Sequence, residues 1–413
     1  MKKTFLLSCL MLAAMPVMAA YTGRVYVDKN KNGVFDPGEK TWAGIKVSDG
    51  LNVVETAADG SFTLPGDERE RFIFITTPSG YKTFNRHYHK IEEKQSGYDF
   101  GLMPYSGRIR KDGSHKYIHI ADTEIFNTEN HEDWVNNVRD YARNEQAAFI
   151  IHTGDICYEK GLKAHIKLMN TENMDCPVFY CIGNHDLVKG KYGEELFESI
   201  YGPVYYSFDA GNVHYIVTPM PGGDHAPGYT ADDVCRWLKN DLAHIRPGTP
   251  VVVFNHDLLT YEDAFIFKSK NAGSINLNEH NLKAWVYGHW HINYMKKQGD
   301  VYSVCTSSLD KGGIDHSTTA FRVMHVVIKG DFTSELRYTY LDKNICIASP
   351  AGVMASGVLP VAVNVYSSVS PVKEVLYTCL ADGKPVLKNK RLLQSTDWSW
   401  NGELPLSHKY VGK

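Results

Sequence analysis

Five apolar runs in the middle of the chain alternate with segments in which apolar residues recur at helical spacing. The runs are KYIHI, AAFIIHT, PVFYCI, PVVVF and LKAWVY. Between them, HEDWVNNVRDYARNEQ and ADDVCRWLKNDLAHI predict amphipathic helices, and Thr230 with Asp233 forms a capping-box pattern at the start of the second. This alternation of strands and helices predicts a layered α/β domain over residues 112–330.

The sequence on both sides of this region has the patterns of short β-strands and is rich in turn residues. Over residues 21–105, short alternating runs are broken by Gly, Pro, Asp and Asn, which predicts a small N-terminal β-sandwich. Over residues 331–413, runs such as SELRYTYLD and PVAVNVYSS predict a C-terminal β-domain. The last run stops where a further strand is expected, so the sequence leaves open whether this domain is complete.

The first twenty residues have the pattern of a secretory leader. Lys2 and Lys3 precede an apolar stretch too short to span a bilayer, and the small residues Ala19 and Ala20 close it. We therefore predict a signal peptide over residues 1–20 and export to the periplasm or the cell surface. No later segment reaches the ~18 consecutive apolar residues of a transmembrane helix, so no membrane span is expected.

Composition and charge limit the classes of partner. The chain has 413 residues and is 43% hydrophobic, enough to bury a large core in several domains. The formal net charge is −3 and no basic stripe is present, so nucleic-acid binding is not expected. Of the 8 cysteines, Cys9 lies in the leader and the others are irregularly spaced. This spacing favours buried thiols and leaves one or two disulfides open.

The stretch DKNKNGVFDPGE in the N-terminal region has the ligand spacing of a calcium loop. Oxygen donors at alternating positions wrap a hard cation, and Gly33 permits the sharp turn. No helices flank the loop, so the predicted calcium is structural. The alternative is an acidic surface hairpin whose Asn and Gly residues only make turns. The candidate ligands are Asp28, Asn30, Asn32, Val34 through its carbonyl, Asp36 and Glu39.

All five of these apolar runs end in polar residues. The carboxyl ends of strands are where α/β folds place their sites, so the sequence predicts that these residues form one site. The five strand ends are Asp122-Thr123-Glu124, Gly154-Asp155, Gly183-Asn184-His185-Asp186, Asn255-His256-Asp257 and Gly288-His289-Trp290-His291.

The residue types at the strand ends favour a metal centre. Mixed Asp, His and Asn ligands suit divalent Zn, Fe or Mn better than a thiolate-binding metal. In an extended chain His289 and His291 point the same way, ~6.5 Å apart, which suits one ligand on each of two metals. Asp155 is the candidate bridging carboxylate. Two ions ~3.5–4 Å apart can share a hydroxide and clamp a phosphate for in-line attack.

The motif order resembles that of the calcineurin-like metallophosphoesterase superfamily, whose blocks are DxH, GD, NH(D/E), H and GHxH. The resemblance implies a four-layer αββα sandwich and a dinuclear, metal-dependent hydrolase of a phosphomonoester or phosphodiester. The two flanking β-domains resemble accessory modules of exported bacterial members of the superfamily.

The resemblance also assigns roles to individual residues. His185 would face the leaving oxygen as general acid or as a stabiliser of the charge on that oxygen, with Asp186 orienting it. One position departs from the family, because Glu124 stands where DxH has its histidine. An anionic ligand there favours harder metals such as Mn or Fe, unless its longer side chain misses the metal. The implied first metal ligands are Asp122, Asp155 and His291, and the second are Asp155, Asn184, His256 and His289.

The sequence is compatible with several classes of phosphorylated substrate. A phosphorylated small molecule, a nucleotide and a lipid headgroup all suit such a centre, and Lys311 and His316 in the segment DKGGIDHS are candidate phosphate contacts. The alternative function is a cell-envelope binding module, impaired in catalysis by Glu124, whose β-domains hold a glycan or a protein partner.

Overall fold

The computed structural model describes residues 20–66, 71–93, 95, 97–105, 107–315, 317–327, 330–340, 343–350, 357–367 and 370–410. The predicted leader lies outside these residues except for Ala20, and so does His316. Within the described part, no helix has both the length and the apolar character needed to cross a membrane.

Eight strands form a two-sheet sandwich at the N-terminal end. The sheets have the strand orders β4-β1-β8-β6 and β3-β2-β5-β7. Residues alternate along β5: Ile73 and Ile75 fill the sandwich core, whereas Phe72 and Phe74 face the central domain. The strands are β1 (Tyr21–Val27), β2 (Lys46–Ser48), β3 (Val53–Glu55), β4 (Ser61–Leu64), β5 (Phe72–Ile75), β6 (Tyr81–Thr83), β7 (Tyr88–Lys90) and β8 (Phe100–Pro104).

The central region contains the predicted alternation of strands and helices. Both helices named from the sequence are confirmed as α1 and α5, and the capping box of α5 is present at Thr230 and Asp233. The elements are β9 (His115–Ile120), α1 (Glu132–Asn144), β10 (Phe149–His152), α2 (Tyr158–Leu168), α3 (Thr171–Met174), β11 (Val178–Tyr180), α4 (Glu195–Tyr201), β12 (Tyr206–Ala210), β13 (Val213–Val217), α5 (Ala231–Ala243), β14 (Val251–Phe254), β15 (Ile266–Lys268), β16 (Ser274–Asn276), β17 (Leu282–Tyr287), β18 (Tyr294–Gln298), β19 (Val301–Cys305), β20 (Ala320–Val326) and β21 (Phe332–Tyr338).

Two packed sheets organise these elements into four layers. One sheet has the order β11-β10-β9-β20-β21 and the other β12-β13-β14-β17-β19-β18. Helices α1 and α2 cover the first sheet and α5 covers the second, which gives the αββα sandwich. Aromatic rings from both sheets meet between them, as in the 5.8 Å contact of Tyr117 with Phe254. Strands β10 and β14 are buried along their whole length because both of their faces are covered.

Parallel pairing places the polar strand ends at one edge of the sandwich. Strand β10 pairs in parallel with β9 and β11, and β14 pairs in parallel with β17. Their carboxyl ends therefore point the same way. The residues that follow these strands come from both sheets and meet where the two sheets pack.

A β-domain with its own small core follows the sandwich. Its sheet has the order β22-β23-β27-β26, with β24 and β25 as a separate hairpin. Trp400 lies in this core, whereas Trp398 donates a hydrogen bond from Nε1 to the carbonyl of Asn293 in the central region. The seven cysteines of the described residues are free thiols. The strands are β22 (Lys343–Ser349), β23 (Gly357–Ser367), β24 (Leu376–Ala381), β25 (Lys384–Arg391), β26 (Leu393–Gln394) and β27 (Ser399–Leu406).

Candidate metal centre

Three of the predicted ligands form a tight cluster at the strand ends. Asp155 follows β10, His256 follows β14 and His289 follows β17, so the cluster draws on both sheets. One ligand atom from each lies within 4.8 Å of the others. The structure therefore brings together residues that lie far apart in the chain, with 134 positions between Asp155 and His289.

Glycines before the ligands allow the strand ends to approach this closely. A Cβ at Gly183 would lie 2.2 Å from Oδ1 of Asp155, and one at Gly288 would lie 2.7 Å from Oδ2 of Asp122. Gly154 has a φ of +95°, and a Cβ there would lie 2.6 Å from Nδ1 of His256. Any side chain at these positions would push the ligands apart.

The backbone at the centre has unusual conformations. Positive φ angles occur at non-glycine residues of the site, a conformation that L-residues adopt only when the surrounding structure imposes it. The sequence interpretation assumed an extended chain at His289 and His291, and this was wrong: their φ angles are 64° and 50°. The other residues of the site with positive φ are Asp122, Glu124, Asp155, Cys157 and Tyr158.

The carboxylates around His256 favour a positive charge at its Nε2. Its Nδ1–H donates to the carbonyl of Thr153 at 2.6 Å, which leaves Nε2 facing Oδ2 of Asp155 at 3.1 Å. Although burial opposes protonation, the Asp155 carboxylate raises the pKa of His256 to about 9. Two ligand atoms held by one cation at about 2.1 Å lie about 3.0–3.4 Å apart, so the spacing suits a shared metal.

A second group gathers around Asp122. Its carboxylate is fully buried, accepts the backbone N–H of His289 at 3.1 Å and lies 3.6 Å from Nε2 of His291. Burial raises the pKa of Asp122 well above its usual range, so its charged form needs a nearby cation. Glu124 also reaches this group, because its Oε1 lies 3.4 Å from Nε2 of His291.

The donor set fits divalent metal ions. Oδ1 of Asn184 is buried and has no hydrogen-bond partner among the described residues. Nε2 of His256 is also buried and lies 3.1 Å from the Asp155 carboxylate. Burial lowers the pKa values of His289 and His291, which keeps both imidazoles neutral, the form that binds metals. Carboxylate, amide and imidazole donors around such unpaired atoms match the preferences of Zn, Fe or Mn. Their role as ligands stays a prediction.

His185 is oriented by Asp224 and not by Asp186. The Nδ1–H of His185 donates to Oδ2 of Asp224 at 2.9 Å, and a third of its side chain is exposed. Asp186 is buried and accepts the backbone N–H groups of Cys157 and Gly183 at 2.8 and 2.9 Å. The orienting role predicted for Asp186 was therefore wrong, because its carboxylate is used to hold two loops together.

The sequence carried no signal for Asp224. It lies in the stretch PMPGGDHAPG, which contains no recognisable motif. The backbone N–H of Asp224 donates to the carbonyl of Asn184 at 3.0 Å and holds the stretch in place. Only the return of this loop over the strand ends brings it to His185. Burial and the Asp155 charge raise the pKa of Asp186 to about 7, which again reflects the density of carboxylates here.

The remaining candidates lie at the mouth of the centre and in the N-terminal loop. Lys311 bonds through Nζ to Oε2 of Glu124 at 2.5 Å and to its carbonyl at 3.2 Å, so it lies beside the predicted metal ligands. In the calcium-like loop, Oδ2 of Asp28 accepts the N–H of Gly33 at 2.8 Å. Asp36 accepts side-chain N–H groups from Asn30 and Asn32.

Glu39 closes the same loop through the backbone N–H groups of Lys29 and Asp36, at 2.8 and 3.0 Å. Val34 is 60% exposed at its tip. The loop thus has the turn that the spacing predicted, stabilised by hydrogen bonds among the candidate ligands. Calcium binding there stays a prediction.

Two known families match the sequence. Residues 29–105 match the family described as the N terminal of Calcineurin-like phosphoesterase. Residues 115–293 match the family described as Calcineurin-like phosphoesterase. Together the matches span about three fifths of the chain and include every predicted ligand of the two-metal centre. No curated protein matches the sequence.

Several solved structures align with parts of this chain at low identity. A phosphoesterase from E. coli is 10% identical over 54% of this chain and 99% of its own, with a TM-score of 0.27. A phosphopantetheinyl hydrolase from Mycobacterium tuberculosis is 13% identical over 47% of this chain and 89% of its own, with a TM-score of 0.31. A 5'-nucleotidase from Candida albicans is 14% identical over 54% of this chain and 52% of its own, with a TM-score of 0.33.

Proposed function

This chain belongs to the calcineurin-like phosphoesterases, and from that premise we propose that it is a dinuclear metal-dependent hydrolase of a phosphomonoester or phosphodiester. The observation that carries the proposal is the cluster of Asp155, His256 and His289, whose ligand atoms lie within 4.8 Å of one another. The unpaired Oδ1 of Asn184 and the buried Asp122 extend this cluster to a two-metal ligand set.

Asp155 would be shared by the two metals, with Asp122 and His291 on one side and Asn184, His256 and His289 on the other. Divalent ions supply Lewis acidity that neutralises phosphoryl oxygens and makes water nucleophilic near neutral pH. Glu124 would be a further ligand of the first metal and would favour Mn or Fe over Zn.

Side chains of the protein protonate the leaving group. With Nδ1 of His185 bonded to Asp224, Nε2 is the nitrogen that faces the substrate and donates a proton to the departing oxygen. Asp155 fixes the backbone of the same loop by accepting the N–H of His185 at 3.0 Å. The proton donor and the metal ligands are thus held by one hydrogen-bond network.

The setting of the reaction follows from the leader. A signal peptide over residues 1–20 would place the enzyme in the periplasm or at the cell surface. Its substrate there would be a phosphorylated small molecule, a nucleotide or a lipid headgroup. The predicted calcium of the N-terminal loop would stabilise the first domain and take no part in the chemistry.

Replacing the bridging carboxylate tests the proposal directly. In Mn-loaded protein, Asp155→Asn is expected to lower turnover of p-nitrophenyl phosphate by about 10³-fold or more, because the shared ligand loses its charge. Asp300→Asn, at a fully exposed turn position, is the matched control and should keep wild-type turnover. Bound metal is measured in the same samples.

A second experiment tests the role of His185 as proton donor. His185→Ala is expected to slow an alkyl phosphate by about 10²–10³-fold and p-nitrophenyl phosphate much less, because a good leaving group needs little protonation. Turnover that survives Asp155→Asn would contradict the two-metal mechanism. A metal-loaded protein that hydrolyses no phosphate ester would instead support the binding-module alternative.

A further inference from the structure

We propose that two aromatic pairs beside the metal ligands, one from each sheet, bind the two organic substituents of a phosphodiester. This inference rests on the proposed phosphoesterase function and narrows it from phosphate esters in general to diesters. The first pair is Phe126 with Tyr158, and the second is Tyr261 with Trp290.

The first pair lies beside the proton donor. The rings of Phe126 and Tyr158 stack at 6.1 Å with an interplanar angle of 18°, and the Tyr158 ring lies 5.2 Å from that of His185. Phe126 is 53% exposed and Tyr158 is 42% exposed. The Lys311 ammonium, 5.9 Å from the centre of the Phe126 ring, closes this side. These rings are therefore in position to cover the group that leaves.

The second pair lies on the opposite sheet. Trp290 stands between His289 and His291 in the chain, and its Nε1–H donates to Oδ1 of Asp257 at 2.9 Å. Tyr261, 77% exposed, stacks on Trp290 at 5.8 Å with an angle of 26°. The loops after β14 and β17 carry this pair. The same loops carry His256, His289 and His291, so the pair lies beside the metal ligands on the side of the second sheet.

The exposed apolar side chains of the central region are concentrated at this mouth. Between residues 107 and 327 the described large hydrophobic residues with high exposure are Phe126, Tyr158, Tyr261, Ile314 and Val327. The N–H of Ile314 donates to the carbonyl of His291 at 2.8 Å, which adds it to the mouth. Val327 follows β20, whose last residue pairs with His115 at the opposite end of β9. Apolar surface gathered in this way marks a binding site.

The distribution of the pairs favours a diester. A phosphomonoester carries one organic group and would cover one pair, leaving the other in water. In a diester, a bond forms from the oxygen of water to phosphorus while the bond from phosphorus to the leaving oxygen breaks. The leaving oxygen takes a proton from Nε2 of His185, and the proton that water loses passes to solvent, from which His185 is reprotonated. The second substituent stays on the phosphate. The leaving group would then contact Phe126 and Tyr158, and the retained group would contact Tyr261 and Trp290.

Paired aryl substrates test the assignment. With bis(p-nitrophenyl) phosphate and p-nitrophenyl phosphate, Tyr261→Ala is expected to lower the diester-to-monoester ratio of kcat/KM about tenfold, because only the diester has a retained aryl group. Phe126→Ala is expected to lower kcat/KM for both substrates by similar factors. Val327→Ala is the matched control and should leave the ratio at its wild-type value.

An equilibrium measurement separates this inference from the proposed function. In calorimetric titrations, diphenyl phosphate should bind wild-type protein more tightly than phenyl phosphate does, and Tyr261→Ala should remove most of that difference. Tight diphenyl phosphate binding without any hydrolysis would overturn the proposed function and support the two subsites. If the protein hydrolyses both substrates and the diester-to-monoester ratio of kcat/KM is the same in Tyr261→Ala as in Val327→Ala, the two subsites are overturned and the proposed function stands.

Discussion

At the scale of single residues, the notable feature of the centre is the pairing of Glu124 with Lys311. Glu124 brings a negative charge to a position where the family has a neutral histidine. The Lys311 ammonium lies 2.5 Å from Oε2 of that carboxylate, so the pair carries no net charge. Lys311, predicted as a phosphate contact, is thus placed to balance the ligand set, which moderates the shift toward harder metals.

Removing this cation should strengthen metal binding. Lys311→Met leaves the Glu124 carboxylate unbalanced, so the affinity for Mn is expected to rise about tenfold, the effect of one nearby charge at a partly exposed site. Competition with a chelating dye measures it, and Lys297→Met on β18 is the control. Weaker Mn binding would show that Glu124 is not a ligand. Metal-stripped wild-type protein is still expected to recover more activity with Mn than with Zn.

At the scale of elements, a buried ion triad joins β12, β13 and α5. His214 on β13 donates from Nδ1 to Oδ1 of Asp209 at 2.7 Å and from Nε2 to Oδ2 of Asp241 at 2.8 Å. Ser207 adds a bond to Asp241 at 2.8 Å. Burial disfavours the imidazolium, but the Asp241 charge and the two hydrogen bonds outweigh it and raise the pKa of His214 to about 9.

This triad predicts a pH-dependent stability. Because the pKa of His214 is higher in the folded chain than its usual value of about 6.5, the stabilisation is complete below pH ~6.5 and is lost as the pH rises through about 9. The loss is on the order of 3 kcal/mol, and denaturant midpoints across this range measure it. His214→Gln should be less stable at pH 6.5 and should show a flatter profile, whereas His280→Gln should follow the wild type.

At the scale of the whole molecule, the N-terminal sandwich is packed into the central domain. Phe74 from β5 lies 6.3 Å from Trp237 of α5. Arg71, just before β5, bonds to Oε1 of Glu194 at 2.7 Å and to Oε1 of Glu198 at 2.8 Å. Both carboxylates are buried, and burial raises the pKa of Glu198 to about 7 despite the arginine.

Removing this arginine should loosen the contact between the two domains. Arg71→Met leaves two buried carboxylates without a cation, which is expected to lower stability by about 3 kcal/mol. Arg143→Met, an exposed arginine of α1, is the control and should change stability by less than about 1 kcal/mol. Equal denaturation midpoints for the two variants would show that the Arg71 contact contributes nothing to folding.

Much of the architecture was readable because local patterns fix local structure. Runs such as VVVF predict buried strands, and Thr230 with Asp233 predicts a helix start, without knowledge of any distant residue. His87 shows the limit of that reasoning. It lies in the polar stretch RHYHK, which gives no local indication of burial, yet its ring packs 4.5 Å from that of Tyr206 and burial lowers its pKa to about 3.

Periodicity and strand-end chemistry are local properties, so the amino-acid sequence was enough to predict the strands, the helices and the polar residues that follow the strands. Which side chains meet depends on the packing of the whole chain. The approach of Asp224 to His185, of Lys311 to Glu124 and of Arg71 to α4 depends on loops and domains that return from far along the chain. No local pattern encodes such contacts, since their energies arise only when the two sheets and the N-terminal sandwich pack together.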